Sequence, residues 1–450
     1  MQQATRRSSD RFGSSHSSSG ESDGTPERTL RRRRAIRRRR RIAVFSVLGV
    51  LLALLIGTGV YLPAAASAAV PAALPTVTQP VLPAVDPVVS PVWPSFGRGA
   101  IGATGFDGVL ASSGDQSAFP IASITKVVTA MVVLDAHPLA EGEDGPEIEF
   151  TSADVEILDE VLAQDGSWQA VEPGVVMSQR EVMETMLIPS ANNYAESLAV
   201  WAYGSVDAYL AAARAWLDGH GLTDTTVVDT NGLNAGDTST PANLVALGQL
   251  ALAQPAIAAI VVKQSAEEPY VGEIDNTNGL LGTSGIDGIK TGTTDEAGAC
   301  LLFSTDVVVG AQSITVVGVI LGAEDHDVLD AAVLDLLASV TPGFQELPLV
   351  TEGEAFASYE TVWGETATAV SSETKSVLVW SGSDTTSTAA VTAEPLDEGT
   401  AGESVGQVDF TVGSQTVSVP LVLDAAIEEP DFEWRVMHPP WTRDDLAPAA

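Results

Sequence analysis

The chain of 450 residues has room for more than one domain and, at 45% apolar residues, for a sizeable core. Its net charge of −37 is unevenly spread: residues 1–41 hold 13 arginines against four acids, whereas the other 409 hold nine basic residues against 55 acids. So acidic a body excludes a nucleic-acid partner, which needs clustered Lys and Arg, and a single cysteine, Cys300, excludes an intrachain disulfide.

Residues 1–41 read as a disordered basic tail on the cytoplasmic side, dominated at first by Ser, Gly and Arg. The arginine blocks Arg31–Arg34 and Arg37–Arg41 abut Ile42–Leu62, 21 residues without a charge. At ~1.5 Å per residue such a helix covers roughly 30 Å, the hydrocarbon thickness of a bilayer. The basic flank keeps the N-terminus inside and sends everything after Leu62 outside. The segment is read as a transmembrane signal anchor. The alternative is a cleaved signal peptide, for which Ala66-Ser67-Ala68 offers an A-x-A site and which would leave a secreted protein. Residues 63–94 hold eight prolines, so 63–95 is predicted to be an extended extracytoplasmic spacer reaching on the order of 100 Å.

Globular patterning begins near residue 96. Gly99–Gly108 and Gly108–Ser112 read as short strands, and Ser123–Ala136 as a helix with apolar residues at 3–4 spacing. Ser178-Gln-Arg-Glu181 is a capping box opening a helix to Met186. Helices follow over about 191–203, 205–218 and 241–253, the last with Thr240 as N-cap and Pro241 at its first position. Three strands come next, Ile286–Thr294, Cys300–Val309 and Ser313–Gly322, then an amphipathic helix, Ala331–Val340. Strands at both ends with helices between predict an α+β domain over 96–345, its sheet completed by both termini and covered by a helical layer.

Residues 346–426 read as a small all-β domain: Glu360–Trp363, Ser376–Trp380, Ala389–Ala393, Val405–Val412 and Thr416–Leu423 alternate in polarity between turn-forming residues. Gly413-Ser414 suits a type II′ hairpin turn. The tail 427–450, with Pro439-Pro440, is read as irregular, so anchoring falls to Ile42–Leu62.

Three short elements carry chemistry. In Ser123-Ile-Thr-Lys126 the i, i+3 spacing puts a hydroxyl and an amine one helical turn apart, and a Lys of depressed pKa can take the Ser proton. In Ser190-Ala-Asn192 a hydroxyl can relay a proton and an amide can orient Lys126 or a substrate carbonyl. In Lys290-Thr291-Gly292-Thr293 a Lys and a Thr hydroxyl on a strand can hold a carboxylate, and Gly292 lets a substrate backbone pass close. The Thr293 N–H, with that of Ser123, can face an oxyanion. Each element alone recurs by chance. Their order and spacing, 64 residues from Lys126 to Ser190 and 100 more to Lys290, do not, and two of the chain's four lysines fill these positions. Cys300, in an apolar stretch, reads as packing.

With these elements the region 96–345 resembles the low-molecular-weight D-alanyl-D-alanine carboxypeptidases, serine peptidases that bind penicillin. The resemblance extends to Leu187–Asn193, Asp229-Thr-Asn-Gly-Leu233, Asn276–Leu281 and Asp287–Gly298, and the β-rich 346–426 resembles the C-terminal domain many of them carry. It implies a β-lactamase/transpeptidase-like fold, Ser123 as acylated nucleophile, Lys126 as base, Ser190 as proton relay and Lys290 as carboxylate anchor. Asn192, Thr291, Gly292 and Thr293 then contact substrate. The substrate implied is the peptidoglycan stem pentapeptide, with β-lactams as covalent inhibitors and no cofactor or metal. Ser190-Ala-Asn192 departs from the family's Ser-Gly-Asn by one methyl group. A D,D-endopeptidase or transpeptidase would use the same residues. A class A β-lactamase needs a Glu in E-x-x-L-N, and Thr230 stands in that place before the sole Leu-Asn pair, Leu233-Asn234. A non-catalytic wall-binding protein would have no need of the intact trio.

Overall fold

Dense runs of Val, Ile and Leu after residue 285 form the three long strands of an antiparallel sheet. The computed structural model describes residues 26–443 apart from 83, 84, 86–88, 141 and 383–385, with the backbone alone for 26–34. Five strands lie in the order Ile286–Thr294, Gly298–Val309, Gln312–Ala323, Arg98–Ala103 and Ala111–Ser113. The first strand of the domain thus pairs with its last, Ile101 opposite Gly318, as the terminal strands predict. Alternation sends Cys300 and Leu302 to one face and Leu301 and Phe303 to the other. The first face packs on the helices that contain Val128, Leu198 and Leu244; the second packs on the helix His326–Val340. Helices therefore cover both faces of the sheet. Cys300 is buried in the first core, where burial pushes its thiol up to about 12.

Local signals place most helices. Ser178 and Glu181 close the capping box in front of Gln179–Leu187, and the Thr240 hydroxyl accepts from the Asn243 N–H at the head of Pro241–Leu252. The helix His326–Val340 starts five residues earlier than predicted because Asp325 caps it, accepting from the Val328 N–H. In the C-terminal domain a six-stranded sheet runs Thr76–Val77, Ala355–Glu360, Thr366–Ser371, Gln415–Leu423, Ser404–Val412 and Ser387–Ala393. The hairpin at Gly413-Ser414 is present, with Val412 opposite Gln415 and Gly413 at φ 57°. The run expected at Glu360–Trp363 instead ends a strand at Glu360 and turns.

Three expectations are corrected. The basic tail is helical from Pro26, in one 42-residue helix to Ser67, because Arg favours helix and the apolar stretch extends it; residues 1–25 lie outside the described residues. Within it, Ala35–Ser67 is long and apolar enough to cross a membrane, and its large apolar side chains from Ile42 to Val60 are unpacked. The proline-rich stretch is not a free spacer. Thr76–Val77 adds an edge strand to the C-terminal sheet, Ala73 is buried and bridges Leu396, and Val89 and Trp93 pack on the core between the five-stranded sheet and the helix His326–Val340. Prolines cannot donate to a ladder, but two intervening residues suffice to pair. Third, the tail described up to residue 443 is not irregular: it forms the short helices Phe432–Met437 and Pro440–Arg443.

Candidate active site

Ser123 lies in a 3-10 turn, Ala122–Ile124, that leads into the helix Thr125–Ala136. Two glycines hold this turn from different sides. A Cβ on Gly232 would stand 1.9 Å from the Ala122 carbonyl oxygen, and one on Gly292 would stand 3.0 Å from both the Ala122 Cβ and the Ser123 nitrogen. Ala122 itself adopts φ 46°, a conformation that costs a non-glycine residue about 1–3 kcal/mol and persists only where its surroundings impose it. What passes close to Gly292 is therefore the chain's own Ala122–Ile124 turn.

Lys126 is completely buried one turn beyond Ser123. Its Nζ donates to the Ser123 Oγ at 2.9 Å, to the Asn231 carbonyl at 2.8 Å and to the Asn192 Oδ1. Burial pulls its pKa well below the usual lysine range, and Lys290 adds to this; Asp229 and Asp237 oppose it. As a neutral amine Lys126 keeps two N–H donors for Asn192 and Asn231, leaving its lone pair toward the Ser123 hydroxyl. That arrangement suits proton removal from Ser123.

Asn192 opens the helix Asn192–Tyr203, and its backbone N–H donates to the Ser167 carbonyl at 2.8 Å. Gly166 leaves room for the Asn192 amide, since a Cβ there would come within 2.6 Å of it. Ser190 sits just before, buried at φ 65°, and its hydroxyl has no hydrogen-bond partner among the described residues. Lys290 and Thr291 occupy the edge strand Ile286–Thr294. Lys290 is 2% exposed, its Nζ is without a partner among the described residues, and burial brings its pKa to about 7. The Thr291 hydroxyl is taken by Thr277 at 2.5 Å. Thr293 is exposed, and its hydroxyl meets His326 Nε2 at 2.8 Å. Direct bonds thus join Ser123, Lys126 and Asn192, and Gly292 abuts them. Ser190 and Lys290 make no direct bond to these groups.

A second layer holds Lys126, and no side chain in the sequence advertises it. The Asp229 carboxylate accepts from the backbone N–H groups of Asn231, Gly232 and Asn234 at 2.6–2.8 Å, which fixes the Asn231 carbonyl on Lys126. Thr129 ties the same loop to the helix Thr125–Ala136, donating to the Thr230 carbonyl at 2.7 Å. Asp237, fully buried, accepts from the N–H groups of Val228 and Asp229, and burial beside Asp229 pushes its pKa up to about 9. The Asp-x-Asn-Gly pattern at 229–232 is a turn signature that marks the loop without revealing its task.

Known proteins were compared with this chain. Residues 103–325 match the family described as D-alanyl-D-alanine carboxypeptidase. A D-alanyl-D-alanine endopeptidase of Pseudomonas aeruginosa is 32% identical over 212 residues, which cover 44% of this chain and 63% of that protein. The D-alanyl-D-alanine carboxypeptidase DacC of Escherichia coli is 26% identical over 343 residues, 73% of this chain and 83% of that protein. A structure described as a peptidoglycan synthesis regulatory factor (PBP3) from Streptococcus pneumoniae superimposes with a TM-score of 0.53. It is 21% identical and covers 74% of this chain and 99% of its own, a likeness of fold. The α+β architecture with a sheet-rich C-terminal region is shared with that structure and with one described as the D-alanyl-D-alanine carboxypeptidase DacD from Francisella tularensis, 16% identical at a TM-score of 0.53. Through residues 103–325, close to half its length, the chain is similar to the D-alanyl-D-alanine carboxypeptidase family of peptidases.

Proposed function

We propose that this chain is a serine D,D-carboxypeptidase that removes the terminal D-Ala from peptidoglycan pentapeptides outside the cytoplasmic membrane. The observation that carries this reading is the buried Lys126 amine, 2.9 Å from the Ser123 hydroxyl and bonded to no acid. Neutral Lys126 takes the Ser123 proton as the oxygen attacks the carbonyl of the D-Ala-D-Ala bond. The N–H groups of Ser123 and Thr293 receive the developing oxyanion. Ser190, its hydroxyl unengaged, passes a proton to the departing D-Ala nitrogen, and water then releases the acyl group from Ser123. Lys290, without a partner among the described residues, holds the substrate's terminal carboxylate, which in turn keeps its ammonium charged. A β-lactam stops at the acyl stage, since Thr230 replaces the Glu that would activate water in a class A β-lactamase.

The helix Ala35–Ser67 supports anchoring in the membrane, with the arginine block inside and the body outside. A second reading, D,D-endopeptidase, is favoured by the 32% identity to an enzyme so described. Both readings are tested together. The full chain is incubated with a pentapeptide ending in D-Ala-D-Ala and with a cross-linked peptide dimer, and products are weighed by mass spectrometry. Loss of one Ala from the pentapeptide is the expected result. Cleavage of the dimer alone would replace carboxypeptidase by endopeptidase, and neither product together with no penicillin adduct would overturn both.

A further inference from the structure

We infer that the two ends of the chain form one rigid mount: residues 430–443 clasp the outer end of the membrane helix and lie in the headgroup region of the outer leaflet. The inference rests on the reading of Ala35–Ser67 as a membrane span.

A helix leaves its last carbonyls without partners, and the helix Pro26–Ser67 ends where a body must begin. Two buried guanidinium groups meet those carbonyls. Arg443 Nη2 donates to Ala65 O at 2.7 Å, and its Nη1 to Ala68 O and Ala69 O at 2.8 and 3.2 Å. Arg435 Nη1 donates to Ala66 O and Ala68 O at 3.2 and 3.0 Å. The same side chains knit the clasp together. Arg443 reaches the carbonyls of His438 and Arg435, and Arg435 reaches Pro430 O and the Glu429 carboxylate. Positive charge at a helix C-terminus also suits its dipole. The Tyr61 hydroxyl donates to Val436 O at 2.6 Å, and its ring lies 6.0 Å from that of Trp441. On the body side Trp363 packs against Trp434 at 5.8 Å and donates from its indole to Glu428 O. Helix, clasp and C-terminal sheet are thereby joined.

The outer face of this clasp is apolar. Phe432, Met437 and Trp441 are 61%, 72% and 72% exposed. They continue the unpacked apolar surface of the membrane helix, whose Val60 immediately precedes Tyr61. That continuity names the occupant. Aromatic residues at the end of a span sit at the headgroup boundary, where an apolar body and a polar edge are both accommodated. The exposed acids Asp431 and Glu433 on the same segment argue for insertion among neutral lipids over attraction to anionic ones.

The test uses the full chain in phosphatidylcholine nanodiscs whose acyl chains are brominated near the headgroup or near the bilayer centre. The difference in fluorescence between wild type and W441F isolates Trp441. We expect that component to be quenched several-fold more by the shallow bromines, and the quenching to vanish in R435A/R443A chains that still react with penicillin. Trp441 emission untouched at both depths in disc-bound protein would overturn the proposal. So would quenching that survives in R435A/R443A. Failure of the wild-type chain to enter discs would sink the membrane reading itself. A nitroxide on M437C, with Cys300 buried, gives a second readout: accessibility to oxygen and protection from a water-soluble nickel chelate are expected, and the reverse overturns the clasp.

Discussion

Two pairs of buried cations stand in contrast. Lys126 and Lys290 are bonded to no carboxylate, and Lys290 to nothing among the described residues. Arg443, equally buried, places all its donor nitrogens on five carbonyls, and Arg435 bonds the Glu429 carboxylate and three carbonyls, sharing that of Ala68. The chemistry of the two residue types accounts for the difference. A lysine can shed its proton, so burial without a carboxylate partner lowers its pKa and can leave it neutral. An arginine cannot, and burying it requires every donor to be met. In this chain the buried cations that can shed a proton stand in the candidate site, and those that cannot are bonded through every donor nitrogen.

The largest effect should come from exchanging these roles. Lys126→Arg preserves charge and abolishes the neutral state, so acylation by a fluorescent penicillin should fall by about 10³-fold, in the range for loss of a general base. A near-normal rate in this variant would break the contrast. Lys290→Ala should raise KM for the pentapeptide by about 10- to 100-fold, as expected for one charge-assisted bond, with kcat changed less. In the wild type kcat/KM should decline as pH rises through about 7, where free Lys290 loses its proton, and Lys290→Arg should remove that decline. Arg443→Lys keeps the charge but loses at least two donors; unfolding of the clasp should become easier by about 1–3 kcal/mol, read as faster tryptic cleavage after Arg435.

The smallest effect concerns Asp237. Its folded pKa, about 9, lies above the ordinary 3.8, so the stability it contributes is full below about pH 4 and is lost as pH rises toward 9. Asp237→Asn should flatten the fall in melting temperature between pH 5 and pH 9. An unchanged slope would mean that Asp237 is ionised without penalty.

Side-chain signals made much of this molecule readable in advance. The box at Ser178–Glu181, the Thr240-Pro241 helix start and the Gly413-Ser414 turn each rest on a local rule that tertiary packing left intact. The directly bonded core of the site, Ser123, Lys126 and Asn192, was legible because their side chains do the bonding. The Asn231 carbonyl was not, because a backbone acceptor has no sequence signature. Pro439-Pro440 points to irregular chain, yet Pro440 serves as the first residue of a short helix, a position where its missing N–H costs nothing. The strand Thr366–Ser371 was passed over because Thr-Ala-Thr-Ala-Val-Ser has little apolar contrast. Composition misled most in the proline-rich stretch, where extended backbone is correct but solvation is not: an extended segment beside an unpaired strand is also a strand.

That zippered stretch alters how the protein searches for its substrate. Between Ala69, the last residue held by the clasp, and Ala73, the first bridged residue, only a short link remains, and at most ~3.6 Å per residue it allows roughly 14 Å of slack. On the membrane reading the catalyst cannot sweep a volume. It samples a thin shell just above the bilayer, in two dimensions, at the pace of lipid diffusion. On the proposed function its reach is then limited to substrate that lies close to the bilayer.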